Sequence, residues 1–195
     1  MNSYKGILPK GLKVNDTCEV QFFLKEGDYN KHFLLSSESS ELIVKSFIYS
    51  EENCITAEII WELGASHAVE DISIVSFAWP NWEIDLDGVV QINGWVEKVE
   101  WYLKEENIFL GNTGKINGIP TLLVRSNDVK ASHACNIEKI SDEKLFYLRS
   151  RGIEKSDATS MMILSYIEKT FVDMKWVDEE LYEKVTSEII EKIQK

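Results

Sequence analysis

IPTLLVRSNDVKASHACNIEKISDEKLFYLRSRGI, residues 119–153, is where this chain changes character. Thr121 to Val124 is apolar or β-branched, and Pro120 before it suits the start of a strand or a sheet edge. Asn127-Asp128 is a turn signal, and Val129 to Ile140 alternates loosely through Val129, Ala131, Cys135, Ile137 and Ile140. The period then lengthens. Ser141 is a good helix N-cap, Asp142 and Glu143 favour the positive end of a helix dipole, and Leu145, Phe146 and Leu148 lie at helical spacing. Gly152, able to take a positive φ, stops that helix. The stretch therefore predicts a junction between a sheet-forming part, residues 1–140, and a helical part, residues 141–195, with His133 and Cys135 just before it.

Upstream of the junction the chain reads as many short strands. Cys18 to Leu24, His32 to Leu35, Glu41 to Tyr49, Cys54 to Leu63, Ile72 to Trp79, Trp82 to Ile92 and Trp95 to Leu103 are rich in β-formers. Turns are expected around Glu26 to Asn30, in SSESS (residues 36–40), in SEEN (residues 50–53), at Asp87-Gly88 and at Asn93-Gly94. No stretch before Ser141 keeps an apolar i, i+3, i+4, i+7 pattern long enough for a helix. Such strands fit a sandwich, an antiparallel barrel or a stacked β-helix, and no fixed internal repeat chooses among them.

Downstream, a helix capped by Ser156 or Asp157 is expected to run to about Met174. It is apolar round much of its circumference through Met161, Met162, Ile163, Leu164, Tyr166, Ile167, Phe171 and Val172. A last helix opens at Asp178, with Leu181, Val185, Ile189 and Ile193 on one row and Tyr182 and Ile190 beside it. Arg149 and Arg151 flank Phe146 and Tyr147, and cation plus aromatic is common chemistry for an interface anchor.

Composition excludes several functions. The 195 residues, 44% hydrophobic and 11% aromatic, describe a folded globular chain. Acidic residues outnumber basic ones 33 to 21, which argues against a nucleic-acid partner, because phosphate binding is driven by Lys and Arg. No apolar run approaches the roughly 20 residues of a membrane helix. The start, MNSYKGILPKGLK, has no secretory apolar segment, so the expectation is a cytoplasmic, soluble protein. Cys18, Cys54 and Cys135 form no CxxC pair, which removes a zinc ribbon and makes a disulfide framework unexpected; Cys18 and Cys54 read as small core residues. No glycine-rich phosphate loop and no distinctive carboxylate pair is present, so catalysis by this chain is not expected. His67, in GASHA, reads as a loop His, and Trp79, Trp82, Trp95 and Trp101 read as core or interface before they read as a stacking platform.

The runs DVKASH, IEKISDEKLFYLRSRGI and DATSMMI resemble the carboxy-terminal signature of the SufB/SufD family, scaffolds of SUF iron–sulfur cluster assembly. The resemblance covers about Asn107 to Ala158 and fades towards the amino terminus. It implies a mainly β fold, a right-handed β-helix of short strands followed by a small α-helical unit. It also implies dimerisation with a SufB-like subunit or a second copy, and docking of the SufC ATPase through Phe146, Tyr147, Arg149, Arg151, Gly152 and Ile153. His133 matches the family's histidine linked to cluster assembly at the subunit interface. A neutral imidazole and a thiolate both ligate iron, and on a strand His133 and Cys135 share a face. Two ligands fall short of the usual four, so a transient cluster would need a second chain and would not be held stably by this one. The chain departs from the family in three respects. Gly114 stands where SufB-type members carry a cysteine, six residues before Pro120. Cys135 stands where the family more often has Ala, so its role is not inherited. The chain is also much shorter than usual members. The missing cysteine and the FYLRSRGI spelling look more like SufD. Two other readings remain: a structural homologue without a cluster site, and a metabolite- or carbohydrate-binding β-solenoid.

Overall fold

The computed structural model describes residues 2–5, 11–14, 18–24, 27–49, 54–118, 120–171 and 179–193, with most side chains from Tyr29 onward. Twelve strands precede three helices among these residues. The strands are β1 (Asn2–Lys5), β2 (Gly11–Val14), β3 (Cys18–Leu24), β4 (Gly27–Leu35), β5 (Glu41–Tyr49), β6 (Cys54–Leu63), β7 (Val69–Ala78), β8 (Trp82–Ile92), β9 (Val99–Phe109), β10 (Gly114–Gly118), β11 (Thr121–Val124) and β12 (Val129–Lys139). The helices are α1 (Asp142–Ser150), α2 (Lys155–Phe171) and α3 (Glu179–Ile193). The chain divides into two compact units, Met1–Glu138 and Lys139–Lys195.

The first unit is a solenoid of parallel strands wound into two sheets. One sheet runs β1-β3-β5-β7-β9-β12 and the other β10-β8-β6-β4-β2, with β11 also beside β8. Up to β10, alternate strands go to alternate sheets and each lands beside the strand two before it; β11 joins β10 beside β8, so β12 lands beside β9. Gly118 pairs with Leu86 and Thr121 with Val89, so β10 and β11 keep one register and Pro120, which lacks an N–H, interrupts the ladder between them. Strict alternation makes the core: Ile55, Ala57, Ile59, Trp61 and Leu63 of β6 face in, as do Ile84, Leu86, Val90 and Ile92 of β8 and Ile72 and Ile74 of β7. The Trp61 ring stacks near Phe33, with centroids 6.4 Å apart.

One corner of the solenoid repeats a single backbone device. Ser39, His67 and Lys98 all take left-handed φ, at 58°, 59° and 54°. Their amides donate to the next coil, Ser39 N to Ser66 O at 3.2 Å, His67 N to Glu97 O at 2.9 Å and Lys98 N to Asp128 O at 2.8 Å. None is a glycine, so the ladder of inter-coil hydrogen bonds holds conformations that L residues otherwise avoid.

Several sequence expectations are corrected. Asp87-Gly88 does not turn: both lie inside β8, where Gly88 faces the core because a Cβ there would meet Trp61 Cζ3 at 3.2 Å. The turn expected at Glu26 to Asn30 gives way to β4 from Gly27, while Ser36–Ser40 and Asn93-Gly94 do turn. Trp95 is in a turn rather than a strand, and β9 begins at Val99 and runs through the polar Lys104–Asn107. Cys54 is exposed, not core. Residues 50–53, the Cys18 side chain and Asp178 lie outside the described residues.

The helical unit follows its sequence closely. Ser141 caps α1, its side chain accepting from Lys144 N at 3.2 Å. Gly152, with φ 86°, closes the other end: its amide donates to Arg149 O and that of Ile153 to Leu148 O, a Schellman arrangement. α2 starts two or three residues earlier than its expected caps imply, at Lys155, with Ala158 N donating to Glu154 O, because Ser156 and Asp157 serve as first-turn residues. Ala158, Met162, Ile163 and Ile167 of α2 are buried, as are Tyr182 and Ile189 of α3. No helix of the described residues is long and apolar enough to cross a membrane.

Candidate functional site

β12 is the last strand of its sheet, and its two faces differ in kind. Val129 and Ala131 pack against the core, so strand alternation places His133, Cys135 and Ile137 on that same side. On the other side Lys130 Nζ meets Glu100 Oε1 at 2.6 Å. His133, Cys135 and Ile137 are all exposed, Ile137 by 49%. The core-facing row of the solenoid thus emerges to solvent along β12, with the two expected ligands on it. His133 and Cys135 share a face, as the sequence predicted.

The neighbouring strand supplies polar residues that sequence reasoning missed. Glu105 and Asn107 of β9 point into the core, 1% exposed each. Ser76 Oγ donates to Asn107 Oδ1 at 2.5 Å, and Asn107 Nδ2 donates to Cys135 Sγ at 3.5 Å. The Cys135 thiol also adjoins Glu105, although no hydrogen bond of ordinary geometry closes on either Glu105 oxygen among the described residues. Burial raises the Glu105 pKa, and contact with the thiol opposes that. The Cys135 pKa is raised by burial first, then by the Glu105 charge, with Asn107 opposing, so the sulfur is held as a thiol. The signal was present in LKEENIF: a Glu and an Asn at the period-two positions of a strand are core-facing polar groups, but a charged run reads as loop until the strand is known. Among the described residues no three His, Cys, Asp or Glu side chains converge as a metal site.

The other sequence candidates fall elsewhere. His67 is an exposed turn residue. Trp101 is buried, Trp95 stands in a turn with its Nε1 donating to Gly64 O at 3.4 Å, and Trp79 and Trp82 pair at 5.0 Å, so these four side chains are dispersed and make no common platform.

On the helical unit, α1 buries no residue and presents Phe146, 73% exposed, and Tyr147, 54% exposed. Arg151 Cζ lies 4.5 Å over the Tyr147 ring. Beside them Tyr147, Leu148, Met161 and Met162 line an apolar groove of about 460 Å³ between α1 and α2. Aromatic, Met and Arg side chains around a groove are the chemistry of a protein-docking surface.

Comparison with known proteins bears on both regions at once. The family model for the SufBD core domain of SUF system FeS cluster assembly matches residues 85–166, which run from β8 through β12 and α1 into α2. Over that stretch, somewhat under half of its length, the chain is similar to the SufB/SufD family. It is 32% identical over 80 residues to the iron–sulfur cluster assembly protein SufD of Escherichia coli (strain K12), covering 41% of this chain and 19% of that protein. It is 33% identical over 94 residues to a SufBD family protein of Archaeoglobus fulgidus, covering 48% and 25%, and 28% identical over 81 residues to SufB of Bacillus subtilis (strain 168), covering 42% and 17%. The matched stretch is thus at most a quarter of these SufB/SufD relatives.

Proposed function

We propose that this chain is a SufD-like scaffold subunit of a SUF-type iron–sulfur cluster assembly complex. The observation that carries the reading is the unbroken family match over residues 85–166, which holds both the His133 strand and the α1–α2 groove. The solenoid pairs with a SufB-like subunit or with a second copy, and exposed Leu123, Val124 and Ile137 on its last strands support a covered end. A SufC-type ABC ATPase docks on α1 and α2 through Phe146, Tyr147, Arg149, Arg151, Gly152 and Ile153. The chain works in the cytoplasm, with neither nucleic acid nor membrane as partner.

The cluster is cargo. His133 and Cys135 offer nitrogen and sulfur donors that suit iron, and the partner chain supplies the remaining donors. ATP-driven motion of the docked ATPase shifts the two scaffold chains and exposes or closes the interfacial site; this chain orients cargo and performs no bond chemistry of its own. A second reading, a structural homologue that carries no iron, draws support from the lack of three converging ligands among the described residues.

Docking is tested by titrating purified SufC-type ATPase into the full chain. Binding should weaken at least tenfold in Phe146→Ala and in Tyr147→Ala, as for aromatic anchors, and stay unchanged in His133→Ala. Absence of binding by the wild type, or binding indifferent to both α1 substitutions, would overturn the docking assignment.

A further inference from the structure

We infer that Glu105 and Cys135 together form, within one chain, a seat for a single thiophilic divalent cation. The inference rests on the functional reading above for the importance of this face, and adds a ligand from β9 that needs no second subunit. Glu105 is buried and faces the core, and among the described residues no hydrogen bond of ordinary geometry closes on its carboxylate, which instead adjoins the Cys135 thiol. A buried carboxylate without a partner is costly, and either protonation, as at Glu70, or a bound cation relieves that cost; at Glu105 the adjoining thiol supplies a second donor for a cation. Asn107 fixes that sulfur from behind, held at its own far end by Ser76. Across the core, the strand positions opposite the carboxylate are glycines: a Cβ on Gly88 would lie 3.5 Å from Oε1 and one on Gly118 3.6 Å from Oε2. Two strands of the facing sheet therefore bring no side chain up to the carboxylate.

One thiolate and one carboxylate, with an amide orienting the sulfur, suit Fe2+, Zn2+ or Co2+ and disfavour Mg2+ and Ca2+, which take oxygen sets. Loading is ligand exchange without redox. The thiol proton leaves to solvent, the sulfur–metal bond forms, and metal-bound waters are displaced by sulfur and by a Glu105 oxygen.

The test uses Co2+ alone, titrated into the reduced full chain under anaerobic conditions and followed by the thiolate-to-cobalt charge-transfer band. The wild type should show the band at one equivalent, Cys135→Ser should abolish it, Glu105→Gln should weaken Co2+ at least tenfold, and Cys54→Ser should change nothing. Glu105→Gln keeps side-chain size and removes a buried charge. Should it fail to fold by circular dichroism, Glu105→Asp, which keeps the charge and shortens the reach, replaces it with the same expected loss. No band in the wild type, a band surviving Cys135→Ser, or Glu105 variants within twofold of wild type would overturn the seat. Each of those results leaves the interfacial cluster reading to stand or fall on the iron content of the assembled complex, whereas Co2+ binding alongside an iron-free complex would refute the cluster reading alone.

Discussion

Glu70 shows how a single residue can set the pH response of the solenoid. It faces the core on β7, in register with Leu42 of β5 and Trp101 of β9, and no hydrogen bond reaches either carboxylate oxygen among the described residues. Burial alone raises its pKa well above the ordinary value. The sign follows from linkage: the folded state keeps this proton to higher pH than the unfolded chain, whose glutamates titrate near about 4.3. Stability contributed here is complete below that value and falls as pH rises through the folded pKa. Glu70→Gln removes the dependence, so its stability advantage over wild type should grow with pH, by about 1.4 kcal/mol for each unit by which the folded pKa stands above the unfolded one. Urea unfolding of both proteins at pH 4.5 and pH 8 measures this, and a difference that does not change with pH would show that Glu70 has a partner. Residues of this kind were illegible in the sequence. Glu70, Glu105 and Asn107 look like loop or surface residues until the strand phase is known, and Cys54 looked like core although it starts β6 facing out.

At the scale of elements, β8 carries the clearest misreading and a direct test of its cause. Asp87-Gly88 has the composition of a hairpin turn, yet the strand runs straight through it because the Trp61 ring covers Gly88. Trp61 is fully buried and stacked near Phe33, so it has little freedom to move aside. Gly88→Ala should therefore destabilise by about 1–3 kcal/mol, less the few tenths gained from lower chain entropy. Gly118→Ala, whose Cβ would make only ordinary contacts at 3.6 Å, should be close to neutral. Thermal unfolding of the two variants checks it: a shift of roughly 2–4 °C per kcal/mol is expected for Gly88→Ala alone, and equal shifts would refute the Trp61 explanation. Helix α1 was legible end to end, because Ser141, Asp142, Glu143 and Gly152 act locally and need no tertiary context. Strand ends were less legible because their turns use Ser39, His67 and Lys98 where punctuation by glycine is expected.

For the whole molecule, the solenoid could be named from resemblance but not from periodicity, and the register explains why. Glu41 pairs with Val69, 28 residues on, whereas Val69 pairs with Glu100, 31 residues on. In the other sheet Gly27 pairs with Ile55, 28 on, and Trp82 with Gly114, 32 on. Coils of unequal length stack in register while blurring any fixed repeat in the sequence. The candidate site was half legible: alternation put His133 and Cys135 together, but the β9 groups beneath Cys135 are about a coil away in sequence and only winding brings them near. The central claim is that the exposed row of β12 holds cargo within a SUF-type complex. Its most direct test is iron and acid-labile sulfide analysis of the complex co-purified anaerobically with a SufC-type ATPase and a SufB-like subunit, comparing wild type with His133→Ala and Cys135→Ala. The account predicts an intact complex in all three, with iron and sulfide lost in the His133 variant and reduced in the Cys135 variant. Equal iron and sulfide in all three, or none in any, would contradict it.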